Sequence, residues 1–395
     1  MGNFLFLKSH WEDLSNTGEL AESYVFSDPN ASMIKQGMFA ERMVQYMLAY
    51  EGLKEPNYEN THSNRISILK KNDLLPKDVD DSLRVIRITR NKATHAGENN
   101  VERAKENLHL TFDLAVWFMQ VYGDYNYVAM PYVEPQNETI KTDELKRKNK
   151  ELEEKYAALE AEMESIRSKG KHDLSRKNNA FTKSVNIHLS EAQTRELIDE
   201  QLRCAGWEAD TPNIRYSKGS RPEKGRALAI AEWPTDSSLG NKGFADYVLF
   251  IGEQMVGVIE AKKMDTDVFG ALNVQAKDYA KNIRMQDRAY VLKNYDEYYV
   301  PFLFATNGRP YLEQYKEKSG IWGLDTRQPY NVPEAVAAWP RPEEMILDLQ
   351  MDIDEANDKL KNTGFEDLEN PDGLNLRYYQ IEAIKAAEDA IIKKS

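Results

Sequence analysis

The sequence predicts a multidomain protein: an all-α domain over residues 1–135, a helical or coiled-coil linker over 136–186, an α/β core over 187–335, and a connector over 336–395. Three observations lead there. A chain of 395 residues exceeds one ordinary domain and implies two or three. From Trp11 to about Tyr127 apolar residues recur near helical spacing, without strand alternation. After Ile187 the order becomes helix, strands, helix, strand, which is the pattern of an α/β core.

Composition narrows the class. Apolar residues make up 41% of the chain, enough for packed cores rather than global disorder. The formal charge of −13 argues against coating nucleic acid with the whole surface and leaves only a local basic channel. The single cysteine, Cys204, rules out a disulfide framework and a cysteine-rich zinc site, and reads as a small buried apolar residue in a reducing compartment. There is no apolar run of about 18 residues to span a bilayer, so no membrane partner is expected. The opening "MGNFLFLKSHWEDL" turns acidic too early for a signal peptide, and Phe6 stands where myristoylation needs Ser or Thr. The expected location is cytoplasmic.

In the first domain, "ASMIKQGMFAERMVQYMLAYEGL" sets Met33, Ile34, Met38, Met43, Met47 and Leu48 at helical spacing. "VDDSLRVIRITRNKATHAG" is a further helix ending in a capping glycine, and "VERAKENLHLTFDLAVWFMQVYG" another. The prolines of "VAMPYVEPQNETIKTD" mark a boundary. Leu145, Leu152, Leu159 and Ile166 then recur every seven residues, with Asn149, Tyr156 and Met163 at the intervening positions. These are the a and d sites of a short coiled coil or of a helix docked on its own protein. "SKGKHDLSRKNNAFTKS" reads as a polar linker.

Ser190 and Gln193 form a capping box opening a helix that ends at Gly206. "RALAIAEW" is a strand, and "GFADYVLFIGEQMVGVIEAKK" is two strands; a helix runs from about Asp267 to Ile283, and "YVPFLFATNGRP" is a buried strand ending in a turn. The remainder reads as helix-rich and ends in "LNLRYYQIEAIKAAEDAIIKKS".

The two strands from Gly243 to Lys263 carry charge where buried strands avoid it. A hairpin with a three-residue loop, Gly252 to Gln254, pairs Ile251 with Met255 and sets Asp246 opposite Glu260. Opposed residues have Cβ atoms about 4.5 to 5.5 Å apart. A two-residue loop would instead oppose Asp246 to Ala261, on the wrong face. Two carboxylates that close share a proton or hold a cation, and hard oxygen ligands suit Mg²⁺, which completes its shell with water and phosphate oxygens. Lys262 points to the same face, where it can orient a water or stabilise phosphate charge.

An Asp at a strand start followed by Glu-x-Lys on the next strand resembles the PD-(D/E)xK nuclease superfamily. Gln275 and Tyr279, in "QAKDY", resemble the Q-x-x-x-Y element of its RecB-type branch. "RPEKGRALAIAEWPTDSSLGNKGFADYVLFIGEQMVGVIEAKK" is similar to the nuclease region of the R subunit of type I restriction enzymes. "FLFATNGRPY" resembles that family too, and "LRYYQIEAI" resembles the start of its helicase motor; together the similarity covers about residues 187 to 395.

The resemblance implies an α/β nuclease core with a mixed central sheet, followed by the start of a motor domain. It implies a metal-dependent type I site-specific deoxyribonuclease subunit in which Asp246 and Glu260 hold Mg²⁺, Lys262 positions the nucleophile, and Gln275 and Tyr279 position that lysine and the DNA backbone. Implied partners are double-stranded DNA and the methyltransferase and specificity subunits, with ATP driving translocation by the complete subunit. The sequence lacks a G-x-x-x-x-G-K-[ST] loop, so it reads as an amino-terminal fragment or truncated product of such a subunit. Members of the superfamily also use an acid from the first helix; Glu191 and Glu196 are both placed for it, and spacing does not choose between them.

Two further features stand apart. "IRYSKGSRPEKGRA" gathers Arg215, Lys218, Arg221, Lys224 and Arg226 in a loop able to meet phosphates or simply be solvated. "RNKATH", with Arg90 and His95, resembles the R-x4-6-H element of HEPN domains, which implies either metal-independent RNA cleavage or a non-catalytic assembly module.

Overall fold

The structure, a computed structural model, describes residues 2–55, 60–137, 147, 150, 159, 162–237, 243–263, 266–309, 319–350, 359–370 and 373–394. The first part is helical: α1 (Glu12–Tyr24), α2 (Pro29–Tyr50), α3 (His62–Lys71), α4 (Lys77–Ala96) and α5 (Val101–Phe118). Asp28 caps α2 by accepting from the Ala31 amide, and Pro29 fills the first turn, where a missing N–H costs nothing. Helix α4 stops at Gly97, left-handed at φ 65°, the expected glycine cap. Of the apolar positions on α2, Met33, Met43, Met47 and Leu48 are buried, and Ile34 and Met38 are half-buried. Around them pack Trp11, Trp117 and Phe118, with Trp11 and Phe118 ring centroids 4.5 Å apart.

Residues 162–169 are helical, and α6 (Leu174–Ser184) follows. Neither stretch is a free spacer. Met163 and Ala180 are buried in the core of α1–α5, and the Trp117 indole donates to the Ala180 carbonyl at 2.9 Å. Leu145, Asn149, Leu152 and Tyr156 of the heptad pattern lie outside the described residues.

The second part is a mixed seven-stranded sheet in sequence order: β1 (Glu208–Ala209), β2 (Ala227–Pro234), β3 (Phe244–Ile251), β4 (Gln254–Ala261), β5 (Phe302–Thr306), β6 (Ile321–Asp325) and β7 (Glu334–Val336). The β1–β2 and β4–β5 pairs are parallel and the others antiparallel. The capping box of Ser190 and Gln193 opens α7 (Glu191–Cys204), which lies on one face of the sheet through Ile198 and Leu202. On the other face a helix spanning 268–281, α8, buries Leu272, Ala276 and Tyr279. Strands β6 and β7 correct the expectation of a helix-rich remainder. Both are short, β7 lies at the sheet edge, and its "EAV" carries no alternation to mark it. Helices resume with α9 (Pro342–Gln350) and, after a single turn at Glu366–Glu369, α10 (Tyr378–Lys394). Among the described residues no helix is long and apolar enough to cross a membrane.

Helix α7 belongs to both parts. Its Leu197 packs into the helical core while Ile198 faces the sheet. Ion pairs reinforce the seam: Glu196 meets Arg103 at 2.5 Å and Lys92 at 2.8 Å, and Glu200 meets Arg84 at 2.7 Å.

Candidate functional site

The hairpin of β3 and β4 turns more tightly than expected. Ile251 pairs with Gln254, so the loop is the two residues Gly252 and Glu253, with Gly252 left-handed at φ 60°. That register alone would put Asp246 out of step with Glu260. A bulge corrects it: Phe250 pairs with Met255 but Leu249 with Gly257, leaving Val256 as the extra residue. Beyond the bulge Tyr247 pairs with Ile259, so the next step of the ladder brings Asp246 to Glu260.

The electrostatics of this pair follow from its burial. Asp246 Oδ2 accepts from the Ala261 amide at 2.8 Å, and Oδ1 from Arg195 Nη2 at 2.5 Å. Glu260, only 3% exposed, pairs through Oε1 with the Lys262 ammonium. Its Oε2 is buried without a hydrogen-bond partner among the described residues. Burial first, and the neighbouring Asp246 second, push the Glu260 carboxyl from 4.5 up to about 8, against the pull of Lys262. Burial also raises Asp246, against the nearby Arg195 guanidinium. Such a pair keeps a proton near neutrality, and a divalent cation would take the proton's place. The donors are hard oxygens and suit Mg²⁺. Among the described residues no third His, Cys, Asp or Glu converges with them, so water and phosphate oxygens would complete the shell.

Tyr279, on α8, lies within electrostatic reach of both carboxylates. It is 5% exposed, and burial, then the charges of Glu260 and Asp246, raise its phenol. Gln275 is half-buried one turn earlier. Between Leu272 and Ala276 the helix is a π turn rather than the regular helix expected. A π turn inserts one residue and re-aims the side chains on it, a device common at functional sites.

Sequence reasoning missed Arg195 and Glu232. Besides Asp246, Arg195 bonds Glu191 at 2.9 Å and Glu232 at 3.2 Å, and Arg215 also reaches Glu232 at 2.5 Å. Glu232 is left-handed at φ 51°, strained for a residue with a Cβ, and interrupts the ladder between Ala231–Tyr247 and Trp233–Ala245. The i, i+4 spacing of Glu191 and Arg195 was the one available signal. Of the two first-helix acids, Glu191 lies on the carboxylate side, whereas Glu196 turns to Lys92 and Arg103.

The basic loop is more committed than its composition suggests. Arg226 is held by Glu208 and Glu223, Lys224 lies 3.7 Å from Glu253, and Arg221 lies 3.7 Å over the Tyr216 ring. Arg90 and His95 are not brought together. Five residues apart on α4, they point about 140° apart around the helix. Arg90 lies over Gly37 and pairs with Glu41 at 3.4 Å, while His95 is exposed.

Comparison with known proteins adds to this geometry. Residues 208–349 match the family described as type I restriction enzyme EcoKI endonuclease subunit second domain. Residues 19–162 match a domain of unknown function, DUF4145. The type I restriction enzyme EcoKI endonuclease subunit of Escherichia coli (strain K12) is 31% identical over 469 aligned positions, covering 99% of this chain. The chain is thus similar along nearly its whole length to the R subunit of a type I restriction enzyme. It spans 39% of the length of that curated relative. No solved structure matches the chain. The R-subunit second-domain match starts at Glu208, in β1, and takes in Asp246, Glu260, Lys262, Gln275 and Tyr279. Arg195 and Glu191, on α7, lie ahead of it.

Proposed function

We propose that the chain carries a Mg²⁺-dependent nuclease centre that hydrolyses DNA phosphodiester bonds within a type I restriction complex. The observation that carries this reading is the pair of carboxyls Asp246 and Glu260, buried against each other with Lys262 beside them. Similarity to a type I restriction endonuclease subunit supports DNA as the substrate. By the same resemblance, methyltransferase and specificity subunits are the partners, and ATP-driven translocation belongs to the complete subunit rather than to these residues. Residues 336–395 are read as the connector into that motor, and the site as a PD-(D/E)xK centre of the RecB type.

Asp246 and Glu260 hold the ion, which when bound neutralises phosphate charge and eases ionisation of a water. Glu260 gives up its proton on binding. Lys262, tied to Glu260 in the free site, orients the attacking water and offsets charge on the phosphate in the transition state. Tyr279 and Gln275 limit the freedom of Lys262 and meet the DNA backbone from α8.

In the enzyme reconstituted with its partner subunits, Asp246→Asn and Lys262→Ala should each lower DNA cleavage by about 10²–10³ or more. Folding and ATP hydrolysis should be retained. Cleavage persisting at the parent rate in either variant would overturn the assignment.

A further inference from the structure

Arg195 sits where a nuclease centre has least use for a fixed positive charge. Its guanidinium is about nine-tenths buried and contacts three carboxylates at once: Asp246 at 2.5 Å, Glu191 at 2.9 Å and Glu232 at 3.2 Å. Asp246 is the residue through which a divalent cation would be held, and Arg195 occupies its Oδ1. One cation can hold that oxygen at full strength, so ion and guanidinium compete. The other two contacts matter because Arg195 can let go of Asp246 and remain neutralised. Its backbone is pinned as well. The next residue, Glu196, is locked to Lys92 and Arg103 of the helical region, so α7 cannot easily carry the side chain away. Glu232 stands ready in a strained left-handed conformation and is itself shared with Arg215.

We propose that Arg195 is a built-in counter-cation: it holds Asp246 while the site lacks metal and yields it, keeping Glu191 and Glu232, when a divalent ion is taken up. It is a positioning residue and does not touch substrate. The inference rests on the metal-site reading above. Its consequence is a site whose metal affinity is held down until something favours the released state, for which a DNA phosphate brought to the bound ion is the natural candidate.

The test is Mg²⁺ titration of the 395-residue chain by calorimetry without DNA. Arg195→Met, which keeps the apolar stem, should tighten Mg²⁺ binding about tenfold, equivalent to about 1.4 kcal/mol. Arg195→Lys, which keeps the charge but not the planar fork, should shift in the same direction by less. Glu232→Gln should weaken binding in the parent, because Arg195 loses an alternative partner, and should have a much smaller effect in the Arg195→Met background. Unchanged or weaker binding in Arg195→Met overturns the proposal, since a residue that merely supports the fold would lower affinity when removed. If Arg195→Met does not fold, weaker binding by Arg195→Lys overturns it instead. Asp246→Asn separates the two readings. If it binds as the parent does, the metal site is wrong; if it loses binding while Arg195→Met fails to tighten it, only the role of Arg195 is wrong.

Discussion

Acid should loosen the helical region through one side chain, His62. It opens α3, is 7% exposed, and both ring nitrogens are buried without a hydrogen-bond partner among the described residues. Burial, followed by the positive charges of Arg87, Arg90 and Arg65, lowers its pKa from 6.5 to about 3. The native state therefore keeps the ring neutral where the unfolded chain would protonate it, so stability is full above pH 6.5 and is lost as pH falls toward 3. Integrated from pH 8 to pH 5, the loss is about 2 kcal/mol, or about 30-fold in an opening equilibrium. His62→Leu removes the titration and also the two unpartnered nitrogens, so it should be no less stable at pH 8 and should lack that acid loss. Hydrogen exchange of α3 and α4 at the two pH values, corrected for the intrinsic rate, isolates this region from the rest of the chain. Parallel behaviour of parent and variant would show that His62 is solvated or paired and that the burial argument fails. The same result bears on Arg90, whose charge contributes to the shift.

Three other outcomes are expected. Mg²⁺ at a hundredfold excess over its dissociation constant should stabilise the chain by about 2.7 kcal/mol in urea titrations, and Asp246→Asn should abolish that gain. Glu196→Gln should cost about 1–2 kcal/mol, since Arg103 keeps Glu98 and Lys92 keeps Asp210 but both lose the charge that joins them at the seam, read as lost protection in α4, α5 and α7. Gly252→Ala should cost about 1 kcal/mol from its left-handed backbone alone, because a Cβ there meets nothing within 4 Å; Gly252→Asn should cost less, and equal losses would place the strain elsewhere.

The helices were legible where local chemistry decides them. Gly97 ends α4, Ser190 and Gln193 cap α7, and the methionine stripe of α2 marks its buried face. Strands β2 to β5 were legible because fully buried strands are written as continuous apolar runs. Strands β6 and β7 were not, since such short strands owe their conformation to a neighbour already in place. The polar stretch that becomes α6 shows the same dependence. Only Ala180 and Ser184 are buried on it, and what holds it are the indole of Trp117 and the carboxylate of Glu51, both far away in sequence.

The hairpin shows how the right strand pairing can be reached through an incorrect step. The hydrophobic runs required Asp246 and Glu260 to share a face, and a three-residue loop was the simplest register that achieved this. The protein instead makes a tighter turn at Gly252 and Glu253 and inserts Val256 as a bulge, which restores the same offset before the carboxylates are reached. A bulge in the body of the strand adds local twist at Leu249 and Gly257 that a longer loop would leave at the tip. Pattern alone fixes the sum of turn and bulge, not their division, because both solutions bury the same residues. Arg195 lay beyond pattern altogether. Its contact with Asp246 joins residues 51 apart, and only the docking of α7 through Leu197, Ile198 and Glu196 brings its guanidinium to the carboxylates. The charges on the hairpin could be read from the sequence, but the cation that compensates Asp246 in the free protein could be found only once the helices and the sheet were packed together.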